Sequence, residues 1–181
     1  MGRPVNEDAS SHASIVDPCS FTRFAEQVGP SALRVAYRWT RDRQQAEDVV
    51  QEALFRTWRS RERIVENPRA WFFKILWRVF LHHQKQRSSR RETLSEHDPF
   101  VGGTDGPYDQ VEARLDVEGW LATLPELDRH LLAMRYGEDF TIQEIADITG
   151  MRVGTVKSRI HRALKQLQRS LSARDGTADG S

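Results

Sequence analysis

Apolar residues in this chain recur at three- and four-residue steps, in short runs bounded by caps and turns, and that period restricts the chain to packed amphipathic helices. Phe21, Phe24, Ala25 and Val28, then Leu33, Ala36 and Tyr37, keep the spacing on either side of Pro30, so one helix or two fit equally. Asp42 can cap the next helix, where Ala46, Val49, Val50, Ala53, Leu54 and Trp58 form the inner stripe. Asp48, Gln51, Glu52 and Arg56 lie off that stripe, which predicts an addressable, largely acidic face. Asn67 followed by Pro68 reads as a cap and first helical position, and Trp71, Phe72, Ile75, Leu76, Val79 and Phe80 carry that helix toward Arg87.

The segment SSRRETLSEHDPFVGGTDGPYDQ is rich in turn and polar residues and predicts a linker over 89–110 between two units. Residues 1–18 and 173–181 read as flexible tails, which leaves helical units over 19–88 and 111–172. In the second unit, Val111, Leu115, Val117, Leu121 and Leu124 predict a helix ended by Pro125, and Leu127, Leu131 and Leu132 predict another running to Gly137. Thr141 with Glu144 forms a capping box, Ile142, Ile145, Ala146 and Ile148 give a short apolar face, and Gly150 suits a left-handed closure. Val153, Val156, Ile160, Ala163, Leu164 and Leu167 then supply the inner stripe of a following helix. The pattern is helix, tight turn, helix, and the fold class is all-α: two small helical domains on a flexible linker.

With 181 residues, 38% hydrophobic and 29% charged, the chain can fill only thin cores, which two small units suit. No run approaches the roughly 20 apolar residues of a membrane span, and the first residues contain no apolar signal core, so the expected location is the cytoplasm. Cys19 is the single cysteine, which excludes an internal disulfide and a multi-cysteine zinc site. The net charge of +1 conceals strong segregation. Residues 69–91 hold seven Lys or Arg and no acid, residues 151–174 hold another seven and no acid, and an acidic stretch lies between them. Each basic block suits phosphate; the middle repels it.

A helix-turn-helix inserts the start of its second helix in the major groove, which calls for small residues and hydrogen-bond donors there. Gly154, Thr155, Lys157 and Ser158 satisfy both requirements. In the first basic block, aromatics interleave with Lys74, Arg78 and Lys85, an arrangement that can stack unpaired bases while cations follow the backbone. Aromatics at helical spacing are more often core, and Trp71, Phe72, Ile75 and Phe80 are read so; Phe73 and Trp77 stay open between the two roles. Adjacent His82 and His83 point about 100 degrees apart on a helix, with no carboxylate or cysteine at ligand spacing, and read as surface or phosphate-contacting groups. No hydrolase, zinc-protease, P-loop or dinucleotide-binding motif occurs, so no catalytic residue, metal or cofactor is expected.

The segments AEDVVQEALFRTWR (46–59), NPRAWFFKILWRVF (67–80) and LPELDRHLLAMRYGEDFTIQEIADITGMRVGTVKSRIHRALKQL (124–167) resemble the extracytoplasmic-function, or group IV, sigma factors of the sigma-70 family. The resemblance spans about residues 20–170 and follows the family's order: region 2, a variable linker, region 4. It implies an alternative sigma factor that binds core RNA polymerase and directs initiation at promoters. By resemblance Asp48, Val49, Gln51, Glu52 and Arg56 dock on the clamp helices of the polymerase largest subunit. The loop 61–67 with Arg69, Lys74, Trp77 and Arg78 recognises and melts the -10 element as single strand. By the same resemblance Lys157, Ser158, His161 and Arg162 read the -35 element as duplex, with Arg152 or Thr155 on phosphate. Family members often carry Asn where this chain has Arg78, and Asp or Asn where it has His82, so the -10 preference is expected to depart from common types. An anti-sigma protein is the partner the family implies.

Two other classes compete. A ligand-driven or phospho-receiver regulator would need strands or a pocket before its helix-turn-helix, whereas residues 20–90 carry helical periods. A nucleic-acid enzyme would need metal-binding carboxylates or a nucleophile at consistent spacing.

Overall fold

The structure, a computed structural model, describes residues 15–63, 67–93, 119 and 121–175. The expected linker beyond Thr93 and the helix expected from Val111 lie largely outside that range. Helix α1 (Pro18–Thr40) is followed by α2 (Arg43–Ser60), a single 3-10 turn (Arg61–Arg63) and α3 (Pro68–Thr93). The second unit contains α4 (Glu126–Gly137), α5 (Ile142–Thr149) and α6 (Val153–Asp175). No strand occurs among the described residues.

The caps lie where local chemistry requires them. Asp42 accepts from the Gln45 N–H at 3.0 Å, and Asn67 Oδ1 accepts from the Ala70 N–H at 3.0 Å. Asp17 followed by Pro18 repeats the Asn67–Pro68 pattern: its carboxylate accepts from the Cys19 and Ser20 N–H groups, both at 3.0 Å. Bonds from Ser20, side chain first, hold the Asp17 carboxyl below the usual carboxylate range. Residues 15–18, inside the stretch read as a tail, are thus engaged with the first unit, and Ile15 is buried. Pro30 does not divide α1, which continues unbroken to Thr40. Arg41 then turns left-handed at φ 54, and its N–H donates to the Tyr37 carbonyl at 2.8 Å.

Two helices outrun their expected ends. α3 passes Arg87 to reach Thr93, and α6 passes residue 172 to reach Asp175. Neither stretch contains Gly or Pro, and Arg, Glu and Ala sustain a helix at little cost.

Packing decides what periodicity left open. Val35, Ala36, Val49, Ala53, Phe72, Leu76 and Val79 fill the first unit; Leu131, Met134, Ile145, Val156 and Ala163 fill the second. These clusters merge into one continuous core, because α3 packs on α5 and α1 on α4. Phe73 is fully buried and meets Phe140 at 4.8 Å between ring centroids. Trp77, 5% exposed, lies against His130 of α4 at 5.8 Å. Both aromatics left open in the sequence therefore fill the seam between units.

Candidate nucleic-acid interface

The helix-turn-helix is built from short-range bonds. The Thr141 hydroxyl accepts from the Glu144 N–H at 3.2 Å, while Glu144 accepts from the Thr141 N–H at 2.8 Å, closing both ends of a capping box. Gly150 ends α5 at φ 74, a conformation any other residue would hold under strain, and its N–H reaches the Ala146 carbonyl at 2.8 Å. Arg152 starts the next turn as its carbonyl accepts from Thr155 and Val156.

Helix α6 presents two faces. Val156, Ile160 and Ala163 are buried, whereas Arg152, Val153, Gly154, Thr155, Lys157, Ser158, His161 and Arg162 are exposed. A Cβ added at Gly154 would meet nothing within 4 Å. Among the described residues no contact requires the missing side chain, so the backbone there is open. Ser158 Oγ donates to the Thr155 carbonyl at 3.0 Å, so its hydroxyl is partly engaged, while Lys157 and His161 are exposed. Arg159 belongs to the inner side: its Nη1 donates to buried Asp128 of α4 at 2.7 Å and fixes how α6 lies on the unit.

The residues expected at the -10 strand separate into two groups. Arg78 is exposed. Lys74 is half-buried beside a groove of about 380 Å³ that Arg63, Asn67, Ala70 and Trp71 line from the first unit. The Trp71 indole N–H is buried without a hydrogen-bond partner among the described residues. Arg69 and Trp77 instead face the second unit. The Arg69 guanidinium lies 4.0 Å from the Phe140 ring centroid and donates to the Glu138 carbonyl at 2.9 Å. Arg61 is also committed internally: it stacks 3.7 Å over Trp58 and donates to the Val16 and Trp58 carbonyls.

On α2, Asp48 and Gln51 are exposed, but Val49 is 1% exposed and belongs to the core. Glu52 is half-buried and bridges helices, with His83 Nε2 at 2.7 Å and Arg56 Nη2 at 2.5 Å. The hydrogen bond from His83 comes first in holding the Glu52 carboxyl below its ordinary range, against the opposing effect of partial burial. His83 is thereby a structural partner, and His82 remains exposed beside Gln86. Sequence reasoning missed Phe55, which is 60% exposed at helical spacing from Asp48, Gln51 and Glu52, with Arg59 5.8 Å above its ring. Its place off the inner stripe was the available signal.

His130 was missed as well. It is buried among Trp39, Trp77 and Phe80, and that burial, with the Arg129 charge adding, pushes its pKa down to about 4. Among the described residues, no group of three or more His, Cys, Asp or Glu could hold a metal ion, and no helix is long and apolar enough to cross a membrane.

The chain thus joins a helical unit, whose α2 exposes Asp48, Gln51, Phe55 and Arg56 and whose α3 is basic, to a helix-turn-helix, the arrangement of a two-part DNA-binding protein. The family models agree: residues 24–90 match sigma-70 region 2, and residues 114–167 match sigma-70 region 4. The chain is 32% identical to the RNA polymerase sigma factor SigV of Bacillus subtilis, over 78% of this chain and 85% of that one. It is 34% identical to the ECF RNA polymerase sigma factor SigL of Mycobacterium tuberculosis, over 76% and 81%. The chain belongs to the sigma-70 family, in its extracytoplasmic-function group. Among solved structures it resembles the sigma factor RpoE of Bartonella quintana in complex with the anti-sigma factor NepR, with TM-score 0.67 and 25% identity over 84% of this chain and 96% of that one. It also shares the fold of CnrH, solved with the cytosolic domain of CnrY, with TM-score 0.61 and 22% identity over 87% and 90%.

Proposed function

We infer that this protein is an alternative sigma factor that docks on core RNA polymerase through α2, captures the -10 strand with α3 and the loop before it, and reads the -35 duplex with α6. The observation that carries this reading is the exposed, donor-rich start of α6 above a buried stripe, set beside a second basic helix in one chain. In this reading Lys157, Ser158, His161 and Arg162 contact base edges, and Arg152 or Thr155 contacts phosphate, a reading supported by their exposure on α6. Asp48, Gln51 and Arg56 form the docking face with Glu52, and exposed Phe55 supplies the kind of aromatic anchor that dominates protein interfaces. The protein performs no bond chemistry of its own; it positions the polymerase.

Control by a separate anti-sigma protein belongs to the same reading, supported by the related RpoE, which is solved bound to NepR. When engaged with polymerase the protein works in the cytoplasm at the nucleoid. In vitro transcription with purified core polymerase tests the reading. Promoter-specific initiation that depends on this chain is expected, and its absence on a genomic promoter library overturns it.

A further inference from the structure

Helix α3 grips α2 at two polar points. Near the start of α2, Arg87 donates to Gln45, whose side chain in turn donates to the Asp42 carboxylate at 2.6 Å. One turn earlier on α3, His83 Nε2 lies 2.7 Å from Glu52 Oε2. The Glu52 carboxyl titrates below its ordinary range, with the hydrogen bond from His83 first among the causes. At neutral pH it is therefore ionised and can only accept, which makes His83 Nε2 the donor. The other oxygen, Oε1, accepts from Arg56 Nη2 at 2.5 Å. Both carboxylate oxygens are thus engaged within the chain, and the side chain that carries the arrangement outward is exposed Arg56, beside exposed Phe55.

We propose that His83 is a positioning residue for polymerase docking: from α3 it fixes Glu52, and Glu52 in turn holds the Arg56 guanidinium in place on the α2 face. The proposal rests on the assignment of that face to core polymerase. An exposed Glu–Arg pair one turn apart on a helix is weak, because two long side chains lose rotamer freedom to meet in a high-dielectric medium. Here the carboxylate is kept from swinging, since His83 holds it from a second helix that Arg87 and Gln45 keep in register with the first. Part of the ordering of Arg56 is then complete before docking, and an acceptor on the partner meets a preset donor rather than one it must immobilise. Glu52 acts through Arg56, which leaves Asp48 as the exposed acid among the residues assigned to docking.

The test titrates purified core polymerase into the full chain, with a fluorophore on native Cys19, which is exposed, and reads anisotropy. His83→Leu removes the donor and is expected to weaken core binding about fivefold, which corresponds to about 1 kcal/mol. His83→Gln restores an N–H donor and is expected to keep most of the affinity. In an Arg56→Gln background, His83→Leu is expected to add little further loss, because the residue through which it acts is already gone. Unchanged affinity in His83→Leu overturns the proposal. So does a fivefold loss that recurs in full without Arg56, the result expected if the substitution merely loosens the fold, and so does a loss in His83→Gln equal to that in His83→Leu. Asp48→Lys and Arg56→Gln separate the premise from the proposal. If neither weakens core binding, the assignment of the α2 face has failed and the proposal with it; if both do while His83→Leu does not, the positioning role alone has failed.

Discussion

Arg159 of α6 donates to the buried carboxylate of Asp128 on α4 at 2.7 Å, and this bond ties the orientation of the exposed Lys157–Arg162 face to the body of the second unit. Removing Asp128 leaves a guanidinium that is only one-third exposed without its partner. Asp128→Ala is expected to cost roughly 2 kcal/mol, below the range for a fully buried pair because Arg159 still reaches solvent. Thermal melting measures the loss. Duplex affinity should fall at all -35 sequences together, since the whole helix shifts.

The capping box at the start of α5 gives a cleaner local test. Thr141→Ala removes the acceptor for the Glu144 N–H and is expected to cost about 1 kcal/mol. Glu144→Gln can rebuild the reciprocal bond and should cost much less. Urea denaturation of the two variants side by side checks the difference: no loss in Thr141→Ala would mean that the box contributes nothing, and an equal loss in both that Gln does not rebuild the bond.

On α2 the two carboxylates are not equivalent. Asp48 is exposed, so Asp48→Lys should weaken binding to core polymerase severalfold while leaving the melting temperature unchanged. Glu52→Lys should lower both, because it places a third basic group beside Arg56 and His83 in a half-buried site. A pull-down paired with a melt for each variant distinguishes docking from folding.

His130 makes the seam sensitive to acid. In the folded chain burial pushes its pKa down to about 4, whereas an exposed histidine titrates near 6.5. A folded value below the unfolded one means that the unfolded chain takes up the proton first. The folded state therefore keeps its full stability above pH 6.5 and loses it as pH falls toward 4, by on the order of 3 kcal/mol in all. Arg129 and Arg41 oppose protonation, whereas Glu126, 3.9 Å away, and the Trp39 main chain favour it. Asp17, Asp42 and Glu52 have depressed values and lose their contributions only in more acidic solution. Melting at pH 7.5 and pH 5.0 should show the loss in the natural chain and a flatter response in His130→Phe.

Helix periods, caps and the helix-turn-helix were legible in the residues because each depends on contacts within one or two turns. Asp42, Asn67, the Thr141–Glu144 pair and Gly150 satisfy backbone groups three or four residues away, and that separation is visible in a string of letters. Helix ends were harder to read: the run after Arg87 has turn-like composition but contains no true breaker, so α3 continues to Thr93. Asp17 caps α1 by the same rule as Asn67, yet it lay inside a stretch whose polarity suggested a tail.

The residues alone determined two basic blocks on helices and a donor-rich start of α6 off its inner stripe, since helical period and charge placement are local properties. Only tertiary structure decided that Phe73 and Trp77 are buried against region 4, that Val49 supports the α2 face from beneath, and that Glu138 gathers Arg34 and Arg69. Those outcomes depend on which faces of α1 and α3 meet α4 and α5, contacts between residues about a hundred positions or fewer apart in sequence that no helical period encodes. An aromatic beside cations has the same local pattern whether it faces a DNA base or another domain, and packing alone distinguishes the two.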